Sequence, residues 1–149
     1  MKERYMKLAL VEAKKAFEIG EVPVGAVIVK DDIVLAKSYN KKEKEQTATS
    51  HAEINAINKA SKKISNWRLN DCEIYVTLEP CPMCASAIKQ SRIKKIYYGV
   101  SILDSNTKKI VEEILSKNDN NSLVFQEGNV LKKECLDILQ RFFEKKRKK

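Results

Sequence analysis

The 149-residue sequence has little of what marks a membrane, secreted or fibrous protein. It contains four glycines, three prolines and one histidine, and its longest uninterrupted apolar stretch is the eight residues 22–29. A helix that crosses a bilayer needs about 20 apolar residues, and the four-residue apolar run near the N-terminus is too short for a signal-peptide core. The low content of glycine and proline excludes collagen-like and low-complexity chains. The short apolar runs predict no membrane span and a cytoplasmic location.

The composition is that of an ordinary globular protein. Hydrophobic residues make up 43% of the chain and charged residues 33%, which excludes a disordered segment. A chain of this length fits a single domain, residues 1–149, and can bury a hydrophobic core without disulfide bonds.

Basic residues outnumber acidic residues by 29 to 20, so the formal net charge is +9. The last nine residues, 141–149, hold six basic residues and one acid and supply +5 of this total. Such a tail indicates a polyanionic partner, most often a nucleic acid. The alternative is a solvated helix end, where cations also suit the helix dipole. Charge alone favours neither interpretation.

Hydrophobic periodicity predicts alternating helices and strands. Apolar residues at steps of three and four predict helices over 3–19, 51–62, 80–90, 110–115 and from 130 onward. Runs rich in β-branched residues predict strands over 22–30, 33–39, 73–78, 93–100 and 123–126, with turns at 31–32 and 118–122 and a loop at 40–50. This alternation predicts an α/β fold, a three-layer α/β/α sandwich around a five-stranded mixed sheet.

The four cysteines differ in what accompanies them. Cys81 and Cys84 form a C-x-x-C pair. In a chain without a secretion signal this pair is a metal site, a redox pair or a coincidence. Cys72 and Cys135 stand apart and are interpreted as small buried apolar side chains.

The single histidine changes the interpretation of the C-x-x-C pair. His51 stands at the start of the predicted helix 51–62, and the two cysteines stand at the start of the predicted helix 80–90. Two parallel helices that flank one strand begin at the same end of the sheet, which would bring an imidazole and two thiols together. Zn²⁺ binds such ligands tetrahedrally, and three protein ligands leave the fourth position to water, as in catalytic sites.

Glu53 is the candidate proton carrier of this site. It lies two residues after His51, where a carboxylate can accept a proton from a zinc-activated water. The structural alternative is a capping box, because Ser50 to Glu53 has the S-x-x-E pattern. An H-x-E motif followed by P-C-x-x-C is the compound signature of zinc nucleobase deaminases, and it favours the catalytic interpretation.

The sequence resembles the bacterial tRNA-specific adenosine deaminases of the cytidine deaminase-like superfamily over nearly its whole length. The resemblance rests on Asn40 and on GEVPVGAVIVK (20–30), SHAEINAI (50–57), NWRL (66–69), EIYVTLEPCPMCASAI (73–88), SRI (91–93) and YYGV (97–100). It implies a homodimer with one Zn²⁺ per subunit that converts the wobble adenosine of a tRNA anticodon, in this family an arginine tRNA, to inosine.

The resemblance also implies a role for each matching residue. His51, Cys81 and Cys84 would bind zinc. Glu53 would carry protons, and Asn40 and Ala52 would contact the flipped base. The C-terminal helix would contact RNA through Arg141, Phe142, Phe143, Lys145, Lys146 and Arg147. Adjacent helical residues lie about 100° apart, so one of the two phenylalanines is expected to pack on the core while the other faces solvent.

Two departures from the family pattern concern the surroundings of the pocket. Ala48, Thr49 and Ser50 stand where the family has Pro-Thr-Ala, and residues 101–109 contain no glycine where the family has a glycine-rich loop. A deaminase of a free base or nucleoside, such as guanine or cytosine, is therefore the alternative on the same fold. A non-enzymatic zinc or redox protein is a third interpretation, and it requires a fourth protein ligand or an exposed C-x-x-C pair.

Overall fold

The computed structural model describes residues 2–117 and 123–148, so the polar turn predicted at 118–122 lies outside the described residues. The helices are α1 (Lys2–Glu18), α2 (Lys42–Glu45), α3 (Ala52–Ile64), α4 (Pro82–Gln90), α5 (Ser105–Ser116) and α6 (Lys132–Arg147). The strands are β1 (Gly25–Lys30), β2 (Ile33–Tyr39), β3 (Cys72–Leu78), β4 (Lys95–Val100) and β5 (Phe125–Glu127). None of the helices within 2–117 and 123–148 has the length and apolar character needed to cross a membrane.

The strands form one mixed sheet in the order β2-β1-β3-β4-β5. Strand β1 runs antiparallel to β2 and β3, whereas β3, β4 and β5 are parallel. The hairpin between β1 and β2 turns at Asp31 and Asp32, whose φ values of 50° and 63° are those of the tight turns that suit a twisted hairpin. The predicted five-stranded mixed sheet is confirmed.

Helices cover both faces of the sheet. Helices α3, α4 and α5 pack on one face through a core that includes Ala56, Ile74, Ile88 and Val111. Helices α1 and α6 pack on the other face around Met6, Val27, Tyr75, Cys135 and Leu139. The layers approach so closely that a Cβ at Gly25 would clash with the Ala9 carbonyl oxygen, and one at Gly99 with the Cys135 sulfur. The predicted three-layer sandwich is confirmed.

Helix α5 departs most from the prediction, because it begins at Ser105 rather than at residue 110. The Asp104 carboxylate caps its first turn by accepting a 2.8 Å hydrogen bond from the Thr107 amide. The buried Lys89 caps its other end, since the ammonium donates to the carbonyls of Ile114 (2.9 Å) and Lys117 (2.5 Å). The polar caps at its two ends therefore make α5 longer than the stretch 110–115 that its apolar residues predict.

The predicted loop 40–50 contains the short helix α2. The buried carboxylate of Glu21 accepts hydrogen bonds from the amides of Glu43 (3.2 Å) and Lys44 (2.6 Å), which satisfies donors that a helix start otherwise leaves unpaired. The predicted first strand is also shorter than expected, because residues 22–24 precede β1 and continue into the wall of the pocket described below. Strand β5 lies at 125–127 instead of 123–126.

Candidate active site

Helices α3 and α4 begin side by side at the end of the sheet where β3 ends. Their N-cap residues are His51 and Cys81, both with extended backbone, and neither side chain makes a capping hydrogen bond. Pro82 occupies the first position of α4, where its missing N–H costs nothing. Both N-cap side chains are therefore available for another ligand, beside two helix ends whose dipoles stabilise thiolates.

The three predicted zinc ligands converge. The His51 Nδ1 atom lies 3.8 Å from the Cys81 Sγ and 3.4 Å from the Cys84 Sγ, and all three ligand atoms lie within 4.8 Å of one another. Tetrahedral zinc with bonds of about 2.0–2.1 Å to nitrogen and about 2.3 Å to sulfur places neighbouring ligand atoms about 3.5–3.8 Å apart. The spacing and the donor set both fit Zn²⁺. This is the one such group of His, Cys, Asp or Glu found within residues 2–117 and 123–148.

The electrostatics of the triad favour a bound cation. The hydrogen bond from Cys84 lowers the pKa of the Cys81 thiol to about 4, and the same bond raises the pKa of Cys84, which is fully buried. The hydrogen bond with Cys81 raises the pKa of His51. The group on its own therefore holds one thiolate beside a basic imidazole, and a divalent cation would allow both sulfurs to ionise.

Glu53 lies in the first turn of α3, next to the triad. Its side chain is buried, and burial raises the pKa of this carboxyl group to about 7. A carboxyl group with a pKa near neutrality can both accept and donate a proton at physiological pH. The location is the one expected for a proton carrier beside His51 and Cys84.

The alternative interpretation of Glu53 as a helix cap is wrong. The capping box requires Ser50 to be the N-cap, but α3 begins one residue later with His51 in that position, and no side chain caps it. The Ser50 hydroxyl instead donates to the Glu45 carboxylate (2.6 Å) and accepts from the Asn55 amide (3.0 Å). The capping box is therefore absent, and the Glu53 carboxyl group instead interacts with its own backbone amide and with Cys84.

A pocket of about 340 Å³ opens above the triad. This volume is at the small end of the range for small-molecule sites and suits a single base. Two predicted substrate contacts line it, the buried amide of Asn40 and the fully buried methyl group of Ala52. Sequence reasoning missed other parts of the wall, namely Val22, Val24, Lys42, Leu78, Glu79, Ile102 and Leu103. The two adjacent apolar residues at 102–103, in an otherwise polar segment, were the sequence feature that could have predicted this part of the wall.

Asn40 has hydrogen-bonding capacity left for a substrate. Its Nδ2 donates to the Val22 carbonyl oxygen, and its Oδ1 accepts from the Lys42 amide, both at 3.4 Å. An asparagine amide has two donor hydrogens and two acceptor lone pairs. One hydrogen and one lone pair therefore stay available on a side chain whose orientation is fixed.

The predicted RNA-contacting residues lie on the last turns of α6. Phe142 is buried edge-on against Phe17, and Phe143 is 40% exposed, so the expected division between a core and a solvent-facing ring is confirmed. The ammonium groups of Lys145 and Lys146 lie over the rings of Phe17 and Phe142 at 5.6 and 5.5 Å. Arg141 pairs with Asp137 at 2.9 Å, and Arg147 is exposed.

A second cavity lies beside this end of α6, and one of its lining residues is close in sequence to a residue of the pocket above the triad. This cavity of about 230 Å³ is lined by Phe17, Gly20, Phe142 and the two lysines, and Val22, only two residues after Gly20, lines the pocket above the triad. Residues two apart are separated by at most about 7 Å. The Cα atoms of Gly20, at the cavity beside α6, and of Val22, at the pocket above the triad, therefore lie within about 7 Å of each other.

A His/Cys/Cys group at two adjacent helix starts, with a glutamate beside it, is the arrangement typical of zinc-dependent nucleobase deaminases. A family of MafB19-like deaminases matches residues 1–147. A tRNA-specific adenosine deaminase of Bacillus subtilis (strain 168) is 42% identical over 147 residues, covering 99% of this chain and 91% of the relative. The chain belongs to the tRNA-specific adenosine deaminase family.

Solved structures agree with this assignment. A structure from studies of A-to-I editing by tRNA:A34 deaminases at the wobble position of transfer RNA has a TM-score of 0.84 and 38% identity, covering 91% of this chain and 99% of that one. A guanine deaminase from Bacillus subtilis is less similar, with a TM-score of 0.66 and 33% identity over 84% of this chain and 83% of that one. The comparison favours the tRNA branch over the free-base alternative.

Proposed function

We propose that this protein is a zinc-dependent deaminase that converts adenosine to inosine at the wobble position of a tRNA anticodon. Water adds its oxygen to C6 of the adenine ring, the bond from C6 to the amino nitrogen breaks, and ammonia leaves. The observation that carries the proposal is the convergence of His51, Cys81 and Cys84 beside the buried Glu53, in a chain whose relatives deaminate tRNA.

His51, Cys81 and Cys84 would hold the zinc ion through one nitrogen and two sulfurs. When bound in such a three-ligand site, zinc acts as a Lewis acid that makes water nucleophilic at neutral pH. The dipoles of α3 and α4 point their positive ends toward both sulfurs and so support their ionised form.

Glu53 would move the protons that the reaction requires. Its carboxylate accepts a proton from the attacking water and delivers it to the adenine ring or to the departing amino group, as the glutamate of zinc deaminases does. The burial that raises its pKa also excludes bulk water, which would otherwise compete for these protons.

Asn40 and Ala52 would hold the adenine ring over this carboxyl group. The free hydrogen and lone pair of the Asn40 amide can bond to the base edge, and the small Ala52 side chain leaves room for the ring. A base that enters a pocket of this size must leave its stack, as single-stranded anticodon loops permit.

The charge distribution supports a tRNA rather than a free base as substrate. A free base needs no polyanion-binding surface, yet the last turn of α6 carries several exposed cations. Phosphate neutralisation by such cations supplies most of the sequence-independent affinity for nucleic acids. The family resemblance further favours an arginine tRNA, a homodimer with one zinc per subunit, and the cytoplasm.

The test offers the purified protein four substrates: total tRNA, adenosine, guanine and cytosine. We expect inosine to form in tRNA and the three small substrates to react at least about a hundredfold less efficiently, because only tRNA offers both the base and the phosphates. The matched control is Glu53→Gln, which keeps the shape and size of the side chain but cannot shuttle protons. Rapid turnover of guanine or cytosine with no inosine in tRNA would overturn the proposal in favour of the free-base alternative.

A further inference from the structure

A buried carboxylate next to the triad has no role in the chemistry described above. The Glu79 side chain has no exposed surface and lies two residues before Cys81, in the turn between β3 and α4. Its Oε1 is 2.8 Å from the Lys108 ammonium, whereas its Oε2 is buried without a hydrogen-bond partner in the described part of the chain. A buried carboxylate requires a compensating charge, and Lys108 supplies it.

Lys108 connects three parts of the fold. Its ammonium bonds to Glu79 and also donates to the Ser101 hydroxyl at 3.4 Å, and it lies 5.8 Å from the centre of the Tyr98 ring. Its own amide donates to the Asp104 carbonyl oxygen at 2.9 Å. The bond to Asp104 belongs to the backbone of α5, whereas the Lys108 side chain joins Ser101, at the start of the segment 101–104, to the turn that carries Cys81.

The segment 101–104 forms one wall of the pocket above the triad. Ile102 and Leu103 line that pocket, although the Ile102 side chain is 53% exposed. Among the described residues, neither amide donates a hydrogen bond to another backbone group outside the regular elements. The bond at Ser101 therefore fixes this wall together with the Asp104 cap and the packing of Leu103 on the core.

We infer that Lys108 is a positioning residue that holds the Ile102–Leu103 wall against the substrate base through its bonds to Glu79 and Ser101. The inference rests on the proposed function for the identity of the base. An apolar wall facing a few polar groups is the usual construction of a pocket for a flat heterocycle. The glycine-free segment 101–109 allows α5 to begin at Ser105, and this early start brings Lys108 within reach of Glu79.

The test compares Lys108→Met with Lys109→Met. Both variants remove one positive charge from α5, but Lys109 is exposed and has no hydrogen bond or ion pair through its side chain within residues 2–117 and 123–148. We expect Lys108→Met to raise the KM for an anticodon stem-loop about tenfold, the effect of removing one well-placed interaction, with kcat and zinc content little changed. Lys109→Met should leave KM within about twofold, because a surface charge contributes little.

Two further variants separate positioning from the cost of an unpaired buried charge. Lys108→Arg keeps a cation and should restore most of the affinity. Glu79→Gln/Lys108→Met removes the buried charge together with its partner, so it should recover thermal stability while KM stays high. Recovery of KM along with stability in this double variant would overturn the inference, since Lys108 would then serve only to neutralise Glu79.

Amide hydrogen exchange gives a readout that does not depend on substrate. The amides of Thr107 and Lys108 are bonded to Asp104 at 2.8 and 2.9 Å, and we expect their exchange to accelerate in Lys108→Met and in the double variant, but not in Lys109→Met. If the wild-type protein formed no inosine in tRNA, the proposed function would fail while this result would still decide the anchoring role. Unchanged exchange at both amides would overturn it.

Discussion

The pocket above the triad and the basic end of α6 are built in opposite ways. Glu53 and Cys84 are buried, and every predicted zinc ligand stands at or within the first turn of a helix. The charged groups at the end of α6 are exposed, and the ion pair that joins Arg141 to Asp137 leaves 70% and 55% of their side chains exposed. Packing therefore fixes the positions of the side chains in the pocket, whereas it does not fix those of the charged groups at the end of α6.

This difference follows from the tasks of the two regions. Proton transfer and metal binding need atoms held to within a fraction of an ångström, which packing and helix starts provide. Attraction to an RNA backbone needs only a density of positive charge and falls with added salt. Changes to the zinc ligands or to Glu53 should therefore act on zinc content and on kcat, and changes at the basic end of α6 should act on KM and its salt dependence.

Loss of a zinc ligand should have the largest effect. We expect His51→Ala and Cys84→Ala to lose most of their zinc and all measurable deamination, because two remaining ligands cannot complete a three-ligand site. Elemental analysis of the purified variants checks this. Cys72→Ala is the matched control, since Cys72 is buried at the other end of β3 and should keep one zinc per chain. Stoichiometric zinc in either ligand variant would show that the ligand set is wrong.

Glu53→Gln should have the next largest effect, confined to the rate. We expect a folded protein with normal zinc content whose deamination rate falls at least a hundredfold, because general acid–base groups contribute about 10²–10⁴. Single-turnover kinetics on tRNA measure the chemical step directly. A rate within tenfold of the wild type would remove Glu53 from the mechanism.

Removal of residues 144–149 should act on RNA binding alone. The six residues carry five cations and one acid, so we expect weaker tRNA binding and a salt dependence whose log–log slope falls by about one for each phosphate that is no longer neutralised. Zinc content and the rate at saturating tRNA should be unchanged. Lys62→Ala/Lys63→Ala, at the far end of α3, is the control for a general reduction of charge. An identical salt slope in the truncated protein would leave the tail as a solvated helix end.

The two phenylalanines should separate stability from binding, with the smallest effect on activity. Phe142→Ala should reduce the free energy of unfolding by about 3 kcal/mol, the cost of emptying a buried aromatic site. Phe143→Ala should cost little stability but weaken RNA binding by about 1–3 kcal/mol if the exposed ring stacks on a base. Denaturant unfolding and tRNA titration measure the two quantities. Equal effects of both variants on binding would contradict this division.

Local patterns predicted most of the fold and the centre of the site. The hairpin, the helix starts at His51 and Cys81, and the meeting of these residues with Cys84 follow from apolar periodicity and from the geometry of parallel helices. The choice between the two roles of Glu53 needed the structure, because a shift of the helix start by one residue decides it.

Long-range ion pairs and polar caps account for what could not be predicted. The early start of α5 depends on the Asp104 cap, and Asp104 looks like a solvated charge in the sequence. Glu79, standing before a proline, also looks like an exposed turn residue, and only its pairing with a lysine 29 positions later explains its burial. Sequence patterns therefore predict poorly whether a charged residue is buried when its partner lies on another helix or strand.

We propose that the His51, Cys81 and Cys84 triad and the buried Glu53 deaminate adenosine within tRNA. The most direct test incubates total tRNA with the wild-type protein or with Glu53→Gln and sequences the products, since inosine is copied as guanosine. We expect adenosine-to-guanosine changes at the wobble position with the wild type and none above background with the variant. Changes of equal frequency with both proteins, or none with either while a free base is deaminated, would contradict it.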